Sequence, residues 1–199
     1  MKHNAIVLWH TNLNMNKRTN LVWIDLEMTG LIPETDVILE AALIITDGQL
    51  NMLHESPYYT IYQPDAVLQA MDTWCMHQHT QSGLIGEVRA STSTVKHIEQ
   101  VMLNVIQEYC EPKKGILCGN SVWQDRIFLR NYMPRVTDFL HYRLLDVTSF
   151  KIALDRWYPD NPALAFEKQD AHRALPDIRE SIAELRHYRL FLESQKSNF

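Results

Sequence analysis

With 199 residues, 46% of them hydrophobic and 22% charged, the chain has the length and composition of one soluble globular domain with a sizeable core. A net charge of −5 excludes the overall basic field that holds long nucleic acid by counterion release, and so argues against a duplex binder. It leaves hydrolases of small phosphodiesters open, because bound divalent cations supply positive charge locally.

Residues 1–19 read as a loosely ordered N-terminal extension and 20–199 as a single domain. The apolar run Ala5 to Trp9 is too short for a signal peptide or a bilayer span, and Met15 is an alternative start that an intact-mass measurement would settle. Leu21 to Ile24, continuing through Asp25-Leu-Glu27 to Gly30, predicts a central strand. Val37 to Thr46 predicts a second strand, and Asp47-Gly48 a hairpin turn. A third strand is expected in Leu50 to Leu53 or in Tyr58 to Tyr62, which makes an antiparallel meander.

Ser91 to Thr94 then offers N-caps for a helix carrying Val95, Ile98, Met102, Val105, Ile106 and Tyr109. Ile116 to Cys118 predicts a strand. A helix around Asp125 to Tyr132 follows, ended near Pro134. Tyr142 to Leu145 predicts another strand, and Asp146 caps a helix with Val147, Phe150, Leu154 and Trp157 on one face. Pro159 and Pro162 close that segment. The last helix starts near Pro176, a favoured first-turn position, and turns Ile178, Ile182, Leu185 and Tyr188 inward. Hairpin strands followed by alternating helix and strand predict an α/β fold with helices on both faces of a mixed sheet. Cys75, Cys110 and Cys118 are odd in number and without CxxC spacing, which points to a reducing, cytoplasmic setting.

Residues i and i+2 of a strand share a face, so Asp25 and Glu27 set two carboxylates side by side. A bound cation satisfies such a pair; so does an exposed strand end. Asp125, at a helix start, suits a metal ligand or simply the positive end of the helix dipole. His172 lies five residues ahead of Asp177 at the last helix's N-terminus, and each alone is more often structural than catalytic.

Together they form an order: D-x-E on an early strand, Asp125 about a hundred residues on, then H-x4-D before the final helix. With Trp23-Ile-Asp-Leu-Glu-Met-Thr-Gly-Leu31, Cys118-Gly-Asn-Ser-Val-Trp-Gln-Asp125, His141-Tyr-Arg-Leu-Leu-Asp-Val147 and His172-Arg-Ala-Leu-Pro-Asp-Ile-Arg-Glu-Ser181, this resembles the DEDDh family of 3′-to-5′ exonucleases. The likeness runs from about Asn20 to Glu193.

The resemblance implies a ribonuclease H-like mixed five-stranded sheet, a three-stranded antiparallel meander plus parallel strands, flanked by helices. It implies that Asp25, Glu27, Asp125 and Asp177 hold two divalent cations, Mg²⁺ or Mn²⁺, about 3.5–4 Å apart, hard ions that take oxygen ligands. It makes His172 the general base, a task suited to imidazole chemistry near neutral pH.

Within the family, the branch with the closest motifs acts on very short RNA, dinucleotides above all. That likeness makes Leu31 a wedge between bases, Trp74 a stacking platform and His79 a substrate contact. It makes Ser121, Arg143 and Thr148 a cap on the substrate's 5′ phosphate; Thr148 stands where serine is more usual. It gives Tyr142 a place across a homodimer interface. Read alone, Leu31 and Trp74 fit core packing, and His77-x-His79 fits a loop. Pro176 replaces a more usual polar residue without expected consequence, and strand-end and N-cap roles suffice for Glu40 and Asp146. Expected partners are short RNA oligonucleotides and a second copy of the chain, with no membrane and no duplex nucleic acid. The rivals are a relative acting on longer ends, which predicts appreciable rates on a 20-mer, and a catalytically dead scaffold, which needs a metal ligand missing.

Overall fold

The computed structural model describes residues 16–168 and 172–195. Residues 1–15 of the expected extension lie outside the described residues. Residues 16–19 form a turn held against the segment after the first long helix, with the Glu111 N–H donating to the Lys17 carbonyl at 3.1 Å.

One sheet organises the chain. Strand β1 (Leu21–Met28) pairs antiparallel with β2 (Ile38–Thr46) along its whole length. On the other side of β1 lie β5 (Ile116–Gly119) and then β6 (Leu144–Asp146), both parallel to it. β3 (Met52–Glu55) and β4 (Tyr59–Thr60) both pair with β2, giving six strands. The two expected places for a third strand are thus both occupied. β3 and β4 are halves of one edge, joined by hydrogen bonds from Ser56 N to Leu43 O and Ile61 N to Leu39 O, and interrupted at Pro57, which has no N–H to give.

Alternation along β1 decides which helices go where. Val22, Ile24 and Leu26 face a core closed by α4 (Val95–Tyr109), α5 (Trp123–Tyr132) and α6 (Pro134–Phe139). Trp23, with Ala42, Ile44 and Cys118, faces the opposite core, closed by α7 (Val147–Trp157) and α8 (Ala174–Gln195). Asp25 and Glu27 share the parity of Trp23, so they project on the α8 side. Buried Ile178, Ile182, Leu185 and Tyr188 seat α8 there as expected.

Two expectations are corrected, those for His79 and for the face of α7. Between residues 63 and 91, where the sequence shows no clear period, lie α1 (Asp65–Gln69), α2 (Thr73–Gln81) and α3 (Leu84–Ala90). His79 therefore stands on a helix, buried, and not in a loop. α5 ends just before Pro134 as expected, and Pro134 opens α6, where its missing N–H costs nothing. On α7 only Val147 and Leu154 are buried; Phe150 is 36% exposed and Trp157 69%, because the strip covered by α8 and the sheet is narrower than the apolar stripe. No described helix is long and apolar enough to cross a membrane.

Candidate active site

β5 pairs with β1 only as far as Trp23, so the second half of β1 runs past its parallel neighbour. That leaves a crevice beyond the carboxyl ends of the parallel strands, the usual place for a ligand in open α/β sheets. Asp25 and Glu27 point into it from β1, and α8 brings Asp177 to the same place in its first turn. One oxygen from each of these three carboxylates lies within 4.8 Å of the others.

Asp125 is not in that tight trio. It is buried in the first turn of α5, and one of its oxygens accepts from the Leu26 N–H at 3.1 Å. That N–H has no strand partner because β5 has already ended, so Asp125 stands in for the missing neighbour. It remains close enough that its charge acts on Asp25.

The acids of the cluster repel one another. Burial, then the charges of Asp125, Glu27, Asp177 and Glu40, hold the Asp25 carboxyl well above the usual carboxylate range. Burial, then Asp177, Glu40 and Asp125, push Glu27 up to about 8. Burial raises Asp125 to about 7 despite its hydrogen bond from Leu26. Oxygen-only donors, half-buried and mutually repelling, suit small hard divalent cations, which relieve the repulsion and restore the ionised form.

His172 precedes α8 with φ 48°, a left-handed conformation that costs a side-chain-bearing residue about 1 kcal/mol or more. Its ring meets Trp74 edge-on at 5.7 Å, and it lines a cavity of about 210 Å³ with Asp25, Asn120, Lys168 and Asp177. The next residue supplies the clamp. The Arg173 guanidinium forks onto buried Glu40, with Nη2 donating to Oε2 at 2.7 Å, also donates to Glu87 at 2.8 Å, and lies over the Tyr58 ring. Glu40 also accepts from the Ala174 N–H at 3.1 Å, and so caps α8. Since Glu40 sits directly opposite Glu27 in the β1–β2 register, this clamp ties His172 to the sheet beside the acids.

A second cavity, about 630 Å³, adjoins the cluster and is lined by Glu27, Met28, Gly30, Leu31, Trp74 and His79 among others. Leu31 is 68% exposed and Trp74 61%, so neither packs into the core. The Leu31 turn is braced: Asp36 accepts from Thr29 Oγ1 and Ile32 N, and Gln124 donates to the Leu31 carbonyl at 2.8 Å. A Cβ on Gly30 would lie 2.5 Å from Asp36 Oδ2, so the turn requires glycine. His79 donates Nε2–H to the Met28 carbonyl at 2.8 Å, since a carbonyl can only accept. Its bare Nδ1 faces Glu27 at 3.9 Å with no hydrogen-bond partner, and burial lowers its pKa.

Beyond β5 and β6, Ser121 (φ 48°) and Thr148 lie side by side, Oγ to Oγ1 3.3 Å. The Ser121 N–H points to both Asp146 Oδ1 and Thr148 Oγ1, each at 3.0 Å. Tyr142 is 69% exposed, stacked on His141 and covered by the Arg143 guanidinium. Sequence reasoning gave no role to Asn120, Lys168, Arg173 or Glu184. Asn120 and Arg173 lie inside the quoted motifs; a buried polar partner 133 positions away, as Glu40 is from Arg173, leaves no local signal.

Comparison with known proteins places the chain in a family. Residues 22–185 match the exonuclease family model (RNase_T). Among similar proteins are the oligoribonucleases of Dichelobacter nodosus, 50% identical over 88% of this chain and 96% of that one, and of Pseudomonas aeruginosa PAO1, 49% identical over 88% and 97%. The Coxiella burnetii oligoribonuclease is 50% identical over 87% and 94%. Solved structures of exonuclease I share the fold, one apo form with TM-score 0.63 at 17% identity over 87% of this chain. An E. coli exonuclease I complex with a dT13 oligonucleotide gives 0.60 at 19% identity and the same coverage. The chain spans 42% of the length of each of these exonuclease I chains.

Proposed function

Because the chain belongs to the exonuclease family, and within it to the oligoribonucleases, we propose that it is a 3′-to-5′ exoribonuclease that hydrolyses very short RNA, dinucleotides above all, to 5′-mononucleotides. The observation that carries this reading is the meeting of Asp25, Glu27 and Asp177 within 4.8 Å beside a cavity edged by exposed Leu31 and Trp74. Asp25, Glu27, Asp125 and Asp177 would hold two divalent cations, Mg²⁺ or Mn²⁺. Bound there, such ions offset the negative charge of the phosphodiester and of its attacking and leaving oxygens.

The chain's own residues do the rest. His172 takes the proton of the attacking water as the new P–O bond forms and the bond to the 3′ oxygen breaks. Arg173 and Glu40 hold that imidazole in place. Leu31 separates the two bases and Trp74 stacks on one, which is tolerant of base identity. His79 presents Nδ1 toward the substrate beside Glu27. Ser121, Arg143 and Thr148 receive the 5′ phosphate, so a longer chain collides with the cap. The protein acts as a homodimer in which exposed Tyr142 reaches the neighbouring site, in a reducing cytoplasm that suits three buried, unpaired cysteines.

The test is turnover of labelled RNAs of two, three, five and twenty nucleotides with Mn²⁺. Preferential hydrolysis of the dinucleotide is expected; equal rates at all lengths would favour an exonuclease for longer ends.

A further inference from the structure

The phosphate cap and the acid cluster sit on different elements, yet one side chain is bonded toward both. Asn120, just past β5, accepts from Thr148 Oγ1 at 3.2 Å. That bond takes the only hydroxyl proton of Thr148, so Thr148 Oγ1 acts as an acceptor toward Ser121. With its amide nitrogen Asn120 donates to Ser181 Oγ and to Glu184 Oε2, each at 2.9 Å. Ser181 and Glu184 belong to α8, and Ser181 Oγ donates to the Asp177 carbonyl at 2.9 Å.

Glu184 makes the anchor stiff. It is 1% exposed, and its carboxylate also accepts from Tyr188 and Lys168, at 2.8 and 2.7 Å. A buried carboxylate with three donors is costly to disturb, and the Asn120 amide is held by it and by Ser181. An unbroken chain of bonds therefore runs from Ser121 through Thr148, Asn120 and Ser181 to the backbone of Asp177.

We propose that Asn120, locked by Glu184, is the positioning residue that fixes the separation between the 5′-phosphate cap and the metal-binding end of α8, and so sets the substrate length the site accepts. This rests on the reading of Ser121, Arg143 and Thr148 as a phosphate cap. Asn120 acts through Thr148 and Ser121, without itself carrying the reaction.

The experiment compares kcat and KM for 5′-phosphorylated and 5′-hydroxyl diribonucleotides and for a pentanucleotide, with Mn²⁺, in the wild type and in Asn120→Ala. The variant is expected to lose about tenfold of the wild type's preference for the 5′ phosphate, the size of one or two lost network bonds, through KM. Its discrimination against the pentanucleotide should fall with it. A folded variant that keeps the full phosphate preference overturns the inference and leaves the cap standing. An equal fall in kcat on both dinucleotides marks a merely structural role and overturns it too. A wild type indifferent to the 5′ phosphate removes the cap, and the inference with it. Glu184→Gln keeps the side-chain volume and should reproduce the lost preference, which decides the matter if Asn120→Ala does not fold.

Discussion

Replacing Glu27 with glutamine should stabilise the metal-free protein, increasingly so as the pH rises. The Glu27 carboxyl sits at about 8 in the fold, against an ordinary value of 4.5. The folded chain therefore binds this proton more tightly than the unfolded chain does. The resulting stabilisation is complete below pH 4.5 and is lost as the pH climbs through 8. At 1.36 kcal/mol per pH unit over the 3.5 units between those values, the loss approaches about 5 kcal/mol above pH 8. Glutamine has no such proton to lose. At about 2–4 °C per kcal/mol for a chain of this size, the gap between variant and wild type in EDTA should reach the order of 10 °C at pH 8 and vanish near pH 4.5.

Asp125, also raised by burial, pulls the wild-type curve the same way. His79, lowered by burial, pulls against it near pH 6.5, because the unfolded chain then takes up a proton that the fold refuses. The His79 contribution is common to both proteins. Glutamine also relieves Asp25 and Asp125 of the Glu27 charge, so the difference between the two proteins reports Glu27 together with the repulsion it shares with its neighbours. Thermal unfolding followed by circular dichroism at pH 5, 6, 7 and 8 in EDTA measures it. Excess Mn²⁺ should raise the wild type more than the variant. A difference that stays constant from pH 5 to 8 refutes the reasoning.

His172→Ala should lower kcat by about 10²–10⁴-fold and leave calorimetric Mn²⁺ affinity unchanged; full turnover in that variant removes the base assignment. Arg173→Met strips buried Glu40 of its guanidinium and should cost about 3–5 kcal/mol in urea unfolding, with a change below about 1 kcal/mol showing that the clamp is dispensable. Trp74→Ala should raise the dinucleotide KM about tenfold to a hundredfold with kcat little altered, and an unchanged KM contradicts stacking there.

What the sequence revealed depended on how local the signal was. The shared face of Asp25 and Glu27 follows from strand geometry alone, the continuous apolar runs of β1 and β2 mark buried strands, and the inward residues of α4 and α8 recur at helical spacing. The α1–α3 segment carries little such pattern. In α2 only Cys75 and His79 are buried, and the stretch Thr-Trp-Cys-Met-His-Gln-His-Thr-Gln has no apolar face to announce a helix. Yet that helix presents both Trp74 and His79 to the site. The Glu40–Arg173 clamp and the Asn120–Glu184 tie join residues far apart in sequence, through polar groups whose burial only the packed fold decides. Trp157 erred the other way: apolar and correctly spaced, but outside the covered strip.

The acid cluster is most directly tested by diffraction from crystals soaked in Mn²⁺, recorded at the manganese edge. Two anomalous peaks are predicted in the crevice, one of them coordinated by Asp25, Glu27 and Asp177 at about 2.0–2.2 Å. Ordered crystals with no peak near those carboxylates would contradict the account.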